Sequence, residues 1–314
     1  MVPRPSSSTS PTSSPALKKN KYLQLVISLA VLAAAVWFFR DQLGFFRSGI
    51  ASLRTASPLP LVLAVCSALL TLVAMGLVMH TLLRSAGVDV RRRATVVLTF
   101  IGNAWSTTFP GGGALSAAYQ YNTQRSWGAS RLVCGWFIVF SGTLSNVWLA
   151  GLGIAAIVLT GASISLTSLF VTLAVLVALS VVVYVVSLKH PRLADVRISA
   201  SSFFLAAVLS LANRLFDVLT LTLCLWAVDA TPSIFGVLLA YAAAKIAGAV
   251  PVTPGGLGPV EAAMVAAFVS TGVDATTAAA AVVAYRIISF ALMTIIGWII
   301  YIPKSWGWCS RTQP

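Results

Sequence analysis

Apolar residues run along this chain in blocks too long for strands and too evenly apolar for surface helices. Six uninterrupted blocks stand at 22–39, 61–83, 132–160, 164–188, 201–228 and 276–302. At 1.5 Å per helical residue each is predicted to cross a hydrocarbon layer roughly 30 Å thick. Two further blocks are apolar but interrupted. The first, 94–121, is broken at Pro110-Gly111-Gly112-Gly113; the second, 233–272, is broken at Pro251 and again at Pro254-Gly255-Gly256-Leu257-Gly258.

The pattern repeats. Pro110 and Pro254 are 144 residues apart, and the same offset carries 22–39 into 164–188, 61–83 onto 201–228 and 132–160 onto 276–302. The chain therefore reads as two halves of one plan: span, span, broken stretch, span. These halves are assigned to 22–160 and 161–303, with a Ser- and Pro-rich cytoplasmic tail at 1–21 and a short one at 304–314. The length and polarity of the first tail favour a retained first helix over a cleaved signal peptide.

Composition agrees with a polytopic membrane protein. Of the 314 residues, 58% are hydrophobic and 9% charged, against roughly 25% charged in soluble domains. The mean hydropathy is +0.93. Those values exclude a soluble enzyme, a nucleic-acid binder and a disulfide scaffold. The net charge of +14 flanks the apolar blocks and so reads as a topology signal. If each broken stretch crossed the membrane once, Lys and Arg would divide 10 inside to 8 outside; if each returns to its starting side, the division is 15 against 3. The second arrangement is the predicted one. It places both termini in the cytoplasm and the second half upside down relative to the first. It scores alike for re-entrant hairpins and for pairs of full spans. Arg40, Arg47 and Arg54 stay on the outer side, on a segment read as interfacial. The predicted fold is an all-α inverted-topology repeat of about 4+4 segments, each half with a Pro-Gly-Gly-broken re-entrant hairpin.

Broken backbone in a membrane needs burial in protein or a wet cavity, because lipid cannot satisfy freed amides and carbonyls. Helices that restart there point positive dipole ends at whatever the cavity holds, and such ends favour anions such as phosphate. One Pro-Gly-Gly alone reads equally as a packing kink; two at matched positions in inverted halves read as a transport site. The candidate substrate-binding residues from these breaks are Pro110, Gly111, Gly112, Gly113, Pro254, Gly255, Gly256 and Gly258.

Only Arg214, Asp217, Lys245, Glu261 and Arg286 place charge inside apolar blocks, and each should face a partner or a cavity. Arg214 and Asp217, three apart, are read as an internal ion pair, with substrate contact as the other reading. Glu261, the only glutamate, lies in the first turns of the restarted helix. It either accepts from freed amides or holds Arg286 or Lys245. Three cations against two carboxylates leave one excess positive charge, which suits an anionic head group. The matching positions of the first half hold Leu70, Val73, Ile101, Ala117 and Gly142. That half offers amides instead: Asn103, Gln120, Asn122, Gln124 and Asn146, read either as substrate contacts or as interhelical hydrogen bonds. Asn103, Gln120, Lys245, Glu261 and Arg286 complete the candidate site. His80 and His190 lie far apart and the four cysteines lack C-x-x-C spacing, so no metal, cofactor or catalytic constellation is expected.

Val250-Pro251-Val252-Thr253-Pro254-Gly255-Gly256-Leu257-Gly258, followed by Glu261-Ala262-Ala263, Gly272-Val273 and Arg286, resembles the signature of the lysylphosphatidylglycerol synthase/flippase membrane-domain family. The specific part of the match spans 242–290. The resemblance implies a membrane domain that moves lipids or lipid-linked head groups between leaflets, and it carries over onto Pro254, Gly255, Gly256, Gly258, Glu261 and Arg286. Where many relatives show an acidic residue and an arginine after the first Pro-Gly, this chain has Gly113-Ala114-Leu115-Ser116-Ala117. The resemblance therefore implies the transporter class more than an aminoacyl-lipid substrate. Eleven residues follow Pro303, so synthesis of such a lipid by this chain alone is not expected.

The expected function is translocation of an anionic phospholipid, a glycolipid or a polyprenyl-phosphate-linked head group across the cytoplasmic membrane. Two other classes are carried beside it. One is a non-transporting accessory subunit of a lipid-modifying or cell-envelope complex, for example one that holds an envelope-lipid synthesis enzyme; the other is a proton-coupled solute transporter using Glu261 or Asp217.

Overall fold

A computed structural model describes residues 56–109, 111–159, 199–249 and 254–305. The blocks at 22–39 and 164–188, the tail 1–21, residues 306–314 of the other tail, the segment 40–54 and the positions of Pro110 and Pro251 lie outside the described residues. Within them the chain is all-helical, without strands. In chain order the helices are α1 (Pro58–Ser85), α2 (Arg92–Thr108), α3 (Gly112–Ser126), α4 (Arg131–Leu159), α5 (Ala200–Ala227), α6 (Ile234–Gly248) and α7 (Pro259–Ser270). The eighth, α8, runs Ala275–Arg286, passes through a π-helical segment Ile287–Leu292 and continues as Met293–Ser305.

Four of the six expected spans fall among the described residues, and each is a single helix long and apolar enough to cross a membrane: Pro58–Ser85, Arg131–Ala155, Ala200–Ala227 and Ala275–Ile302. Large apolar side chains stand exposed along them, Leu59, Val62, Phe204, Leu205, Ile295 and Ile299 among them, as a lipid-facing surface requires. The broken stretches behave differently. Each divides into two short helices, of 17 and 15 residues in the first half and 15 and 12 in the second. At 1.5 Å per residue the longest of these reaches only about 25 Å.

The break chemistry is local. Phe109, ahead of Pro110, takes extended backbone (ψ 147°), which ends α2. Gly111 then adopts left-handed φ 65°, and α3 starts at the next residue. Gly255, its counterpart 144 positions on, has φ 58° within a single turn of tight helix, Pro254–Gly256, before α7 begins at Pro259. A side chain at either position would be strained, so glycine is what lets the chain reverse there.

The order long, short, short, long thus occurs twice, and packing follows the same exchange. Among the described helices the most extensive contact joins α1 to α5, the corresponding members of the two halves. The last helix of each half then packs on the first broken limb of the other: α4 on α6, and the end of α8 on α2. The second contact is close. Thr107 and Thr294 hydroxyls meet at 2.7 Å, and Trp298 Nε1 donates to Thr108 Oγ1 at 2.9 Å. Gly297 allows this approach, because a Cβ there would run into the Phe100 carbonyl and come within 2.7 Å of the Ala104 methyl.

Candidate functional site between the two broken stretches

Glu261 begins the site. It stands in the first turn of α7, where backbone amides lack intrahelical partners. Its Oε2 accepts from the Gly258 amide at 2.7 Å, and its Oε1 accepts from Arg286 Nε on α8. Both side chains are 8% exposed. Arg286 Nη2 also donates to the Gly255 carbonyl at 2.9 Å, and its guanidinium lies 4.8 Å from the centre of the Phe290 ring. That ring occupies the space a Cβ on Gly255 would need. One ion pair therefore ties α8 to the second break and fixes how α7 starts.

A second buried network lies beside it. Asp217 on α5 accepts from Lys245 Nζ at 2.7 Å and from the Tyr241 hydroxyl at 3.1 Å, both through Oδ2. Its Oδ1 accepts from the Tyr285 hydroxyl at 2.8 Å. Arg214 does not pair with Asp217, which corrects the expected internal ion pair. Arg214 turns toward α4, donating to Ser145 Oγ at 2.6 Å and to the Ser145 carbonyl at 3.3 Å. It reaches Asp217 only through Tyr241, whose hydroxyl it contacts at 3.3 Å. Three positions along a helix leave two side chains about 60° apart around the axis, and here each faces a different neighbour.

The two breaks open onto one cavity of about 440 Å³. Its wall combines Gly111, Gly112 and Gly113 with Ser106, Thr107 and Phe109 from the first half. The second half supplies Gly255, Gly256, Lys245, Tyr285 and Arg286, together with Gly248 and Ala249 at the end of α6. The N-terminus of α3 and the C-terminal ends of α2 and α6 thus border the same space. The carboxylates stand behind the cations: among the described residues lining the cavity there is no acid. The excess positive charge counted from sequence sits on Arg214, which is not part of this wall.

Other expected site residues lie elsewhere. Gly258 caps α7 instead of lining the cavity, and Pro254 opens the tight turn. Gln120 donates to Ser116 Oγ at 3.0 Å and packs beside Gly102, while Asn103 points Nδ2 into the protein without a partner among the described residues. Neither amide is in the wall; the first half presents the serine and threonine of α2 there instead. Sequence reasoning missed Tyr241 and Tyr285. Tyr241 precedes Lys245 by one helical turn, and Tyr285 adjoins Arg286. A buried tyrosine next to an intramembrane charge is a hydrogen-bond donor in need of an acceptor, and that signal was available.

The family model described as "Lysylphosphatidylglycerol synthase TM region" matches residues 25–297, which takes in most of both halves and every residue of this site. A search of curated proteins returned no match.

Proposed function

The chain belongs to the lysylphosphatidylglycerol synthase transmembrane-region family, and from that premise we propose that it is a lipid translocase whose cavity takes a phosphate-bearing lipid head group from one leaflet and releases it in the other. The observation that carries the reading is the convergence of both broken stretches and two cations, Lys245 and Arg286, on one cavity inside an apolar helical protein. A head group crossing bare hydrocarbon loses its hydration without compensation, at a cost of several kcal/mol for each unmatched polar group. A wall of freed backbone amides, hydroxyls and cations offsets that loss. The acyl chains remain in lipid while the head group passes between the halves.

On this reading the short limbs α2–α3 and α6–α7 are re-entrant hairpins and the two halves are inverted. The exchange of contacts between halves supports it: rocking about the α1–α5 contact would close one side of the cavity as it opens the other. The reading places the protein in the cytoplasmic membrane with both termini inside.

The test is dithionite quenching of a fluorescent phosphatidylglycerol in proteoliposomes. The wild type should expose inner-leaflet probe that protein-free vesicles retain. Gly113 supplies the control: it lines the cavity, and a Cβ built on it meets nothing within 4 Å. Gly113→Trp should therefore fold, fill the cavity and stop transfer. Wild-type transfer no faster than in empty vesicles, or unimpaired transfer by a folded Gly113→Trp variant, would overturn the assignment.

A further inference from the structure

The two cavity cations are held in different ways, and the difference assigns them different tasks. Arg286 is fixed: it is 8% exposed, bonded to Glu261 and to the Gly255 carbonyl, and covered by Phe290. Lys245 is 31% exposed; it lies 4.9 Å from the centre of the Tyr241 ring, and the one carboxylate that holds it, Asp217, has other donors. If Lys245 left, Asp217 would keep the Tyr285 hydroxyl on Oδ1 and the Tyr241 hydroxyl on Oδ2. Arg214, with no carboxylate partner of its own among the described residues, would stay joined to that carboxylate through Tyr241. Removing one member of a buried ion pair is normally prohibitive because the other is left as an uncompensated charge. At Asp217 that charge is compensated in advance, by two phenols and a neighbouring guanidinium.

We infer that Lys245 is an exchangeable cation: the phosphate of the ligand draws its ammonium away from Asp217, and the Tyr241–Tyr285–Arg214 cluster holds the carboxylate until the ligand leaves and Lys245 returns. This rests on the cavity being the head-group site. Asp217 then acts as a positioning residue that competes with the ligand for Lys245, which keeps binding weak enough for release. Arg286 sets the shape of the second break and is not the group that moves. The other side chains facing Asp217 come from α6 (Lys245 and Tyr241) and α8 (Tyr285). Between α1 and this part of α5 the hydrogen bonds are uncharged: Ser67 donates to the Phe216 carbonyl, and Asn213 Nδ2 donates to the Thr71 carbonyl.

Competition gives the variants opposite signs, which loss of structure alone would not. Short-chain phosphatidylglycerol is titrated into purified full-length protein in detergent, with inorganic phosphate as a parallel arm, and binding is read from tryptophan fluorescence. Asp217→Asn should tighten binding about tenfold, the scale of one charge-assisted hydrogen bond no longer to be displaced. Tyr285→Phe should weaken it, because Asp217 then depends more on Lys245, and Lys245→Met should abolish it. A melting curve on each variant identifies those that fold, and Tyr285→Phe provides a second reading should Asp217→Asn not fold. Unchanged or weaker binding by folded Asp217→Asn, or tighter binding by folded Tyr285→Phe, would overturn the exchange and leave the cavity assignment standing. Wild-type protein that binds neither probe would overturn both. Binding of inorganic phosphate as tightly as the lipid, with the same order of variants, would keep the exchange and remove the lipid as its ligand.

Discussion

The Glu261–Arg286 pair allows a quantitative test of what holds the second break together. Arg286→Met keeps the length of the side chain and removes its charge. Glu261 is then a carboxylate with an 8% exposed side chain, whose remaining donor among the described residues is the Gly258 amide at 2.7 Å. Breaking a buried pair from one side costs about 3–5 kcal/mol, and this geometry belongs in that range. Glu261→Gln is milder, because the amide oxygen can still accept from Gly258 and Arg286 keeps the Gly255 carbonyl and the Phe290 face. Its cost should lie near the lower end, about 3 kcal/mol. The double variant removes both charges from a dry site and should be less destabilised than either single, since a neutral replacement of a buried pair is often close to neutral. The assay is unfolding of purified protein by SDS in mixed micelles, followed by circular dichroism, with a coupling energy of at least about 2 kcal/mol expected from the cycle. Two single-variant costs that simply add in the double, or singles that each cost under about 1 kcal/mol, would refute the view that this pair organises the break.

Two further consequences concern the breaks and the following turn. A Cβ at Gly112 would lie 2.5 Å from the Trp105 carbonyl oxygen and 2.6 Å from that of Ser106, so Gly112→Ala must push α3 off the end of α2; about 1–3 kcal/mol of stability should be lost, seen as a lowered melting temperature, while Gly113→Ala should melt like wild type. Asp274 caps α8 with its carboxylate, accepting from the Thr276 hydroxyl and from the Thr276 and Thr277 amides at 3.0 and 3.2 Å. The Thr276 hydroxyl first, and then these amides, hold its carboxyl below the ordinary carboxylate range. Its contribution is therefore complete above the unfolded value of about 3.9 and fades as pH falls through the lower folded value. Asp274→Asn should flatten the acid limb of a melting-temperature profile, and an unchanged limb would dismiss the cap as its source.

Much of the fold was legible because a membrane leaves few choices. Apolar blocks at 61–83, 201–228 and 276–302 became helices Pro58–Ser85, Ala200–Ala227 and Ala275–Ile302, the ends differing by no more than three residues. The 144-residue offset was readable from the two Pro-Gly-Gly runs, and it carries Gly111 onto Gly255, both left-handed. What could not be read was the direction each polar side chain takes. Arg214 and Asp217 share a helix turn, yet α4 captures one and α6 with α8 the other. Asn103 and Gln120 were as plausible as Ser106 and Thr107 by composition; the rotation of α2 and α3 against α8 decides which faces the cavity. Helix rotation is a property of the packed assembly, set by close approaches such as Gly297 on α2, and no local period encodes it.

The central claim is that a lipid head group occupies the cavity between the breaks. A cryo-EM map of the protein in nanodiscs of phosphatidylglycerol and phosphatidylethanolamine tests it directly. The expected result is head-group density bounded by Gly111–Gly113 and Gly255–Gly256, with its phosphate within hydrogen-bonding distance of Lys245 and its acyl chains leaving between the halves. A cavity holding only water, with every ordered lipid on the outer surface of α1, α4 and α5, would contradict it.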